Sequence, residues 1–415
     1  MFAPASPQSF GDYERERGRQ MLIQVKNEIR KNYYDPTFRG IDLEARCKAA
    51  EEKMKQATSN GQVFGIIAQM VIDLNDSHTF FIPPPRSNRT EYGWEMQMIG
   101  SQCCVVEVKP GSDAEAKGLK VGDVIHSIDG FAPVRENLWK LQYLYYSLRP
   151  QPGMRVVAQS PSGQPRELEL MAAIKEGVLV RDLTSYVEIQ KLTRAAENRK
   201  QLNRPRFHEV GEELIIWKMI SFEVPASQID DAMNKVRKFK TLILDLRDNP
   251  GGYEEALLRL AAHFFDHDLK LGEMKRRKET KPLMVKSLKD RAFKGRIIVL
   301  VDSNSTSAAE ALARVVQLEK RGIIIGDRTT GKVMRSIYYP LQTGIDRAVL
   351  FGVSITDADL IMSDGKSLEQ IGVTPDEIVL PSPTDLATRR DPTLARAAEM
   401  AGVKIDPEKA GALFQ

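Results

Sequence analysis

The sequence predicts an α/β protein with a largely parallel sheet, joined to a small helical domain and a β-rich module, and three observations carry that prediction. Short β-rich runs at 214–219, 241–246, 296–301 and 322–325 are separated by helical stretches such as 229–239, 253–265 and 308–318, and such alternation argues for parallel pairing through helical crossovers. Ahead of them, residues 13–75 carry apolar positions at helix spacing, for example Met21, Leu22, Val25 and Ile29, then Phe64, Ile67, Met70 and Val71. From Tyr92 to about Ala173 the texture changes to short strands joined by Gly and Asp turns, with one helix near 136–148.

A chain of 415 residues is long enough for about two to three hydrophobic cores. The expected boundaries are a helical N-terminal domain over 1–88, a β-rich module over 89–175, a polar, partly helical connector over 176–208, the α/β core over 209–390, and a helix with a short tail over 391–415. The first boundary follows Pro83-Pro84-Pro85, where three prolines force extended backbone. With 42% hydrophobic and 28% charged residues, the chain is neither disordered nor fibrous in composition. Sixty basic against 56 acidic residues leave a bias too slight to argue for nucleic acid as partner. No apolar run approaches the roughly 18 residues of a spanning helix, so no membrane-spanning segment is expected. Cys47, Cys103 and Cys104 cannot build a disulfide framework, and no CxxC spacing offers a metal site.

Sheets of this kind place their chemistry at strand ends, and three strand ends stand out. In Leu244-Asp245-Leu246-Arg247-Asp248-Asn249-Pro250-Gly251-Gly252, paired glycines let the backbone turn N–H groups toward an oxyanion or phosphate, although such a turn is by itself also a tight connection. In Asp302-Ser303-Asn304-Ser305-Thr306-Ser307-Ala308-Ala309-Glu310, a serine at the mouth of a helix lies where a developing alkoxide is stabilised. The same hydroxyls are also preferred helix caps. The third, Gly326 to Lys332, imitates a phosphate-binding GxxxxGK loop. Val333 stands where Ser or Thr must hold magnesium, and Ile337-Tyr338-Tyr339 favours strand over helix, so nucleotide binding is not expected. His263-Phe264-Phe265-Asp266-His267-Asp268 reads as ordinary structure at a helix end rather than as a metal cluster. The ten basic and two acidic residues of 274–296 read as a solvated hairpin.

Two resemblances join these loci. The run Pro110-Gly111-Ser112-Asp113-Ala114-Glu115-Ala116-Lys117-Gly118-Leu119-Lys120-Val121-Gly122-Asp123-Val124-Ile125 resembles the signature of bacterial PDZ domains. That resemblance implies an extended peptide added as a strand, with Tyr92, Gly93, Trp94, Glu95 and Met96 as its binding loop and strand. The order of motifs over most of the chain, a helical region, a PDZ-like module, the DLR-NPGG-like 245–252, the S-S-AE-like 305–310 and a GK after a strand, resembles the C-terminal processing (tail-specific) peptidases and their tricorn-like relatives. These are serine peptidases with a Clp protease/crotonase-like core. The resemblance implies Ser307 as nucleophile, Ala308 with Gly251 or Gly252 as oxyanion hole, and no metal or cofactor.

It leaves two bases open. Lys332, 25 residues beyond Ser307, matches the general base of the processing peptidases, but their supporting Gln is replaced by Ser336. Leu74-Asn75-Asp76-Ser77-His78-Thr79 resembles the locus of the catalytic histidine in tricorn-like members, and the segment from Asp364 to Asp376 resembles the one whose Glu, here Glu369, orients it. Two residues match that branch, so a Ser307-His78-Glu369 arrangement supported by Ser77 is the preferred expectation. The function implied is an endopeptidase acting on unstructured or C-terminal segments. The alternative is a PDZ-containing peptide-binding adaptor whose catalysis has lapsed. Residues 1–4 lack the features of a signal peptide, yet the family is mostly exported, which implies the periplasm or cell exterior. Oligomeric state is not legible.

Overall fold

A computed structural model describes residues 10–86, 88–176, 205–344 and 348–414. Most of the expected connector, 177–204, lies outside the described residues.

The fold is mixed α/β. Its central sheet has six strands, ordered Glu377–Ile378, Ile323–Gly326, Arg296–Val301, Thr241–Asp245, Leu214–Lys218 and Arg206–Val210. All neighbours pair in parallel except the last two strands, which form an antiparallel hairpin. The period of two in each strand explains why these segments read as continuous apolar runs. Leu242, Leu244, Ile297, Val299 and Val301 point into the core shared with helices Ala226–Val236, Glu254–Phe264 and Ala308–Leu318. Ile243, Ile298 and Leu300 point the other way, under helices Pro392–Met400 and Pro407–Ala412. A strand covered on both faces has no polar alternation to display.

A second sheet, absent from the sequence reading, is antiparallel. Its longest strand, Val349–Met362, pairs with Phe80–Ile82, Leu269–Arg276 and Arg335–Thr343, and Thr280–Val285 closes the far edge. The basic run of 274–296 thus lies on the 269–285 hairpin and the loop beyond it. Helices Asp12–Asn32, Leu43–Met54 and Asn60–Ile72 pack on this sheet through Leu22, Val25, Ile29, Ile67, Phe81, Val353 and Ile355. The segment after the third helix therefore runs from the helical region into the sheet, carrying residues 75–79 to the edge of the α/β core.

The third body is a five-stranded antiparallel sheet of Trp94–Ile99, Gln102–Val108, Val124–Ile128, Gly153–Gln159 and Arg166–Met171, in sequence order. Tyr92, Trp94 and Met96 are buried in its core, whereas Glu95 is exposed. The module docks on the strand ends of the central sheet. Gln97 Nε2 donates to Asp302 Oδ2 at 2.8 Å, Ser303 Oγ to Met98 O at 2.5 Å, and Gly100 N to Asp327 Oδ2 at 2.8 Å, while Arg135 pairs with Asp327. Beside this junction lies a cavity of about 570 Å³, lined in part by Val106, Val108, Val301, Pro381 and Leu386. Among the described residues, no helix is long and apolar enough to cross a membrane.

Candidate active site

Strand Arg296–Val301 ends at Asp302, and the next five residues turn the chain into helix Ala308–Leu318. The turn is organised from within, because Asp302 Oδ1 accepts the amides of Asp248, Asn304 and Ser305 at 2.9 to 3.1 Å. Burial, with the Asp248 charge adding to it, pushes the Asp302 carboxyl up to about 6. At the end of the turn Ser307 is held at φ 57°, ψ −114°, a conformation a non-glycine residue keeps only when its surroundings impose it. Its hydroxyl makes no cap bond to the helix. The tie is the reverse one, from Ser307 N to Glu310 Oε2 at 3.0 Å.

The Gly-Gly turn lies against this serine. Arg247, bonded to both Asp245 and Asp391, fixes where the preceding strand ends. A Cβ at Gly251, where φ is +86°, would lie 2.7 Å from Ser307 Cβ and 3.0 Å from Ala308 N. Only glycine permits that approach. The two glycines are not equivalent as donors. Gly251 N already donates to Asn249 Oδ1 at 2.8 Å, whereas the N–H groups of Gly252 and Ala308 have no hydrogen-bond acceptor among the described residues. Ala308 N also sits at the positive end of the helix.

His78, Ser77 and Glu369 come together from opposite ends of the chain. Ser77 Oγ donates to Glu369 Oε2 at 2.9 Å and lies 2.7 Å from His78 Nδ1, and Ser77 N donates to Glu369 Oε1 at 2.8 Å. Glu369 therefore meets the imidazole through Ser77, and the expected direct orientation of the histidine by the carboxylate is replaced by a relay. Asp76 Oδ1 pins the turn by accepting His78 N at 2.9 Å, Thr79 N at 2.6 Å and Thr356 Oγ1 at 2.8 Å. Burial lowers the His78 pKa to about 4; the Asp76 charge opposes that and the Lys332 charge adds to it. Burial raises Glu369 to about 7.

Lys332 lies on the loop after strand Ile323–Gly326, which leads into strand Arg335–Thr343 and not into a helix. Its Nζ sits 5.3 Å from the centroid of the Trp139 ring, on the docked module. Burial lowers its pKa, opposed by the charges of Glu369 and Glu310. Its main chain is used differently: Lys332 N donates to Glu310 Oε2 at 2.9 Å. Ser307 Oγ donates to neither His78 Nε2 nor Lys332 Nζ; in substrate-free sites such contacts are commonly long and tighten on binding.

The expected peptide-binding residues Tyr92, Gly93, Trp94, Glu95 and Met96 lie at the start of the module's edge strand, whose later residues Gln97 and Met98 bond Asp302 and Ser303 of the turn before Ser307. His263 bonds Asp230 at 2.7 Å and Arg237 at 2.6 Å. Among the described residues, no group of three or more His, Cys, Asp or Glu could hold a metal ion. The sequence reading did not find the carboxylate of Glu310 as an acceptor, the Asp76 pin or the place of Trp139. Only Glu310 had a signal, the Ser-x-x-Glu spacing of a capping box.

A serine in strained backbone beside amides without acceptors is the equipment of acyl transfer, and comparison with known proteins agrees: the chain is a serine peptidase. Residues 215–379 match Peptidase family S41. It is 26% identical over 388 residues to the chloroplastic C-terminal processing peptidase of Tetradesmus obliquus, covering 88% of this chain and 78% of that one. It is 24% identical over 386 residues to the carboxyl-terminal-processing protease of a Picosynechococcus species, covering 88% and 84%. Among solved structures, mature CPAF complexed with lactacystin shares the fold with a TM-score of 0.65 at 15% identity, over 90% of this chain and 95% of that one.

Proposed function

We propose that the chain is an endopeptidase of unstructured or C-terminal protein segments, working through an acyl-enzyme at Ser307 with His78 as general base. The observation that carries this reading is the relay from Glu369 through Ser77 to His78. A hydroxyl has one proton. Since Ser77 gives it to Glu369, its oxygen accepts Nδ1–H of His78, which leaves the Nε2 lone pair as the basic site. Lowered by burial to about 4, the imidazole is neutral at pH 7 and ready to accept a proton.

The steps follow. Ser307 Oγ attacks the scissile carbonyl carbon as its proton passes to His78 Nε2, and the carbonyl oxygen becomes an oxyanion facing the amides of Ala308 and Gly252. Each such donor is worth about 3–4 kcal/mol in comparable sites. Collapse breaks the C–N bond, His78 returns the proton to the leaving amine, and an ester remains on Ser307. Water, deprotonated by His78, then releases the new carboxylate and restores the serine. Lys332 Nζ, turned onto Trp139, stays outside this proton path. The complete relay argues against the lapsed adaptor.

The module over 89–175 is proposed as a PDZ domain that takes a substrate strand at the Tyr92, Gly93 and Glu95 end of its edge strand Trp94–Ile99, since Gln97 and Met98 further along are engaged by Asp302 and Ser303. Preference for C-terminal segments is inferred from the processing peptidases among the relatives, and a place in the periplasm or cell exterior from the family resemblance. The remaining bodies are proposed as the helical domain, the peptidase core and the C-terminal helices with the expected boundaries. Ser307→Ala is expected to abolish cleavage of an unfolded protein while thermal unfolding stays unchanged. Retained turnover in that variant refutes the assignment.

A further inference from the structure

We propose that Glu310 is a positioning residue that sets the separation of Ser307 from His78, acting through the consecutive amides of Gly331, Lys332 and Val333. The inference rests on the Ser307 and His78 reading above. Glu310 is fully buried. Its Oε2 accepts Ser307 N at 3.0 Å and Lys332 N at 2.9 Å, and its Oε1 accepts Gly331 N at 2.7 Å and Thr329 Oγ1 at 2.5 Å. The next amide, Val333 N, donates to Glu369 Oε2 at 3.2 Å. Glu369 in turn holds Ser77. Two carboxylates on either side of one three-residue rail thus connect the nucleophile turn to the imidazole, through hydrogen bonds to charged acceptors, which are the stronger kind.

The rail itself cannot slide. Gly331 has φ +79°, a Cβ there would lie 2.9 Å from the amides of Ile371 and Gly372, and Gln370 N donates to Gly331 O at 2.7 Å. A capping glutamate needs only the serine amide and works at the surface. This one is buried at a cost to its ionised form, with its pKa raised by burial, and it recruits three further donors from residues 19 to 22 positions away. The arrangement also gives Lys332 a role in its main chain that its side chain does not share.

The test is the rate of fluorophosphonate labelling across the acid limb, with the KM for an unfolded substrate, for the full chain, Glu310→Gln and His78→Ala. Glutamine keeps shape but replaces one accepting oxygen by a donor. Expected for Glu310→Gln is labelling about 100-fold slower, KM nearly unchanged, and a residual rate that has lost the wild-type pH dependence. Loss of general stability alone does not remove that dependence. Should Glu310→Gln fail to fold, Thr329→Val, which removes one donor, decides: labelling slowed by about fivefold at unchanged KM is expected, and a wild-type rate overturns the proposal. Folded Glu310→Gln labelling at the wild-type rate and pH dependence, with His78→Ala silent, also overturns it. If His78→Ala labels like wild type, it is the underlying reading that fails.

Discussion

Ser77 Oγ lies 2.7 Å from His78 Nδ1 and donates to Glu369 Oε2, so adjacent residues of one turn form both the proposed base and the link that orients it. A serine in this place has a directional consequence: whichever partner receives its proton decides the tautomer of the imidazole. Ser77→Ala removes the link while leaving Asp76 to hold the turn. Expected is a fall in kcat of about 10- to 100-fold with KM nearly constant, as for other residues that orient a ligand or base through a hydrogen bond. Steady-state kinetics on a peptide substrate checks it.

The pH dependence follows from the same relay. Burial raises Glu369 to about 7 and lowers His78 to about 4. As pH falls through about 7, Glu369 gains a proton and becomes a donor to Ser77 Oγ, whose own proton then turns to His78 Nδ1. The proton left on the ring sits on Nε2, which can no longer act as base. The acid limb of kcat/KM is therefore expected near pH 7, above the histidine's own titration. Glu369→Gln, whose amide donates permanently, is expected to hold activity low and flat through that region. A wild-type limb only near pH 4 would falsify the relay reversal.

Gly251 tests the fit between the two turns. An added methyl would lie 2.7 Å from Ser307 Cβ and 3.0 Å from Ala308 N, against the amide proposed to receive the oxyanion. Gly251→Ala is expected to lower kcat/KM by about 100- to 1,000-fold, the scale of a lost oxyanion donor. Its secondary structure, measured by circular dichroism, is expected to stay native.

Much of the fold was legible because two-sided burial leaves a plain mark: 214–217, 242–244 and 297–301 are apolar throughout and lie in buried strands. The antiparallel sheet was not legible. Its long strand, Val349–Met362, contains Gly352, Ser354, Thr356, Asp357 and Asp359 among its apolar residues, and its partners come from residues 80 to 343. The ingredients of the proposed site lay in short motifs, whereas its connectivity did not. That Ser77 stands between His78 and Glu369 depends on a contact 292 residues apart in the chain, and that Glu310 accepts four donors depends on burial that a Ser-x-x-Glu spacing does not express. For Lys332 the GK spacing expressed neither the bond of its main chain to Glu310 nor the place of its ammonium group, 5.3 Å from the Trp139 ring centroid.

In the proposed mechanism His78, and not Lys332, takes the proton of Ser307. The most direct measurement is the rate of fluorophosphonate labelling at neutral pH for wild type, His78→Ala and Lys332→Ala, with Ser307→Ala as the blank. His78→Ala is expected to fall to the blank while Lys332→Ala stays within about tenfold of wild type, as for a charge that tunes His78 without receiving the proton. Silence in Lys332→Ala together with labelling in His78→Ala would contradict it.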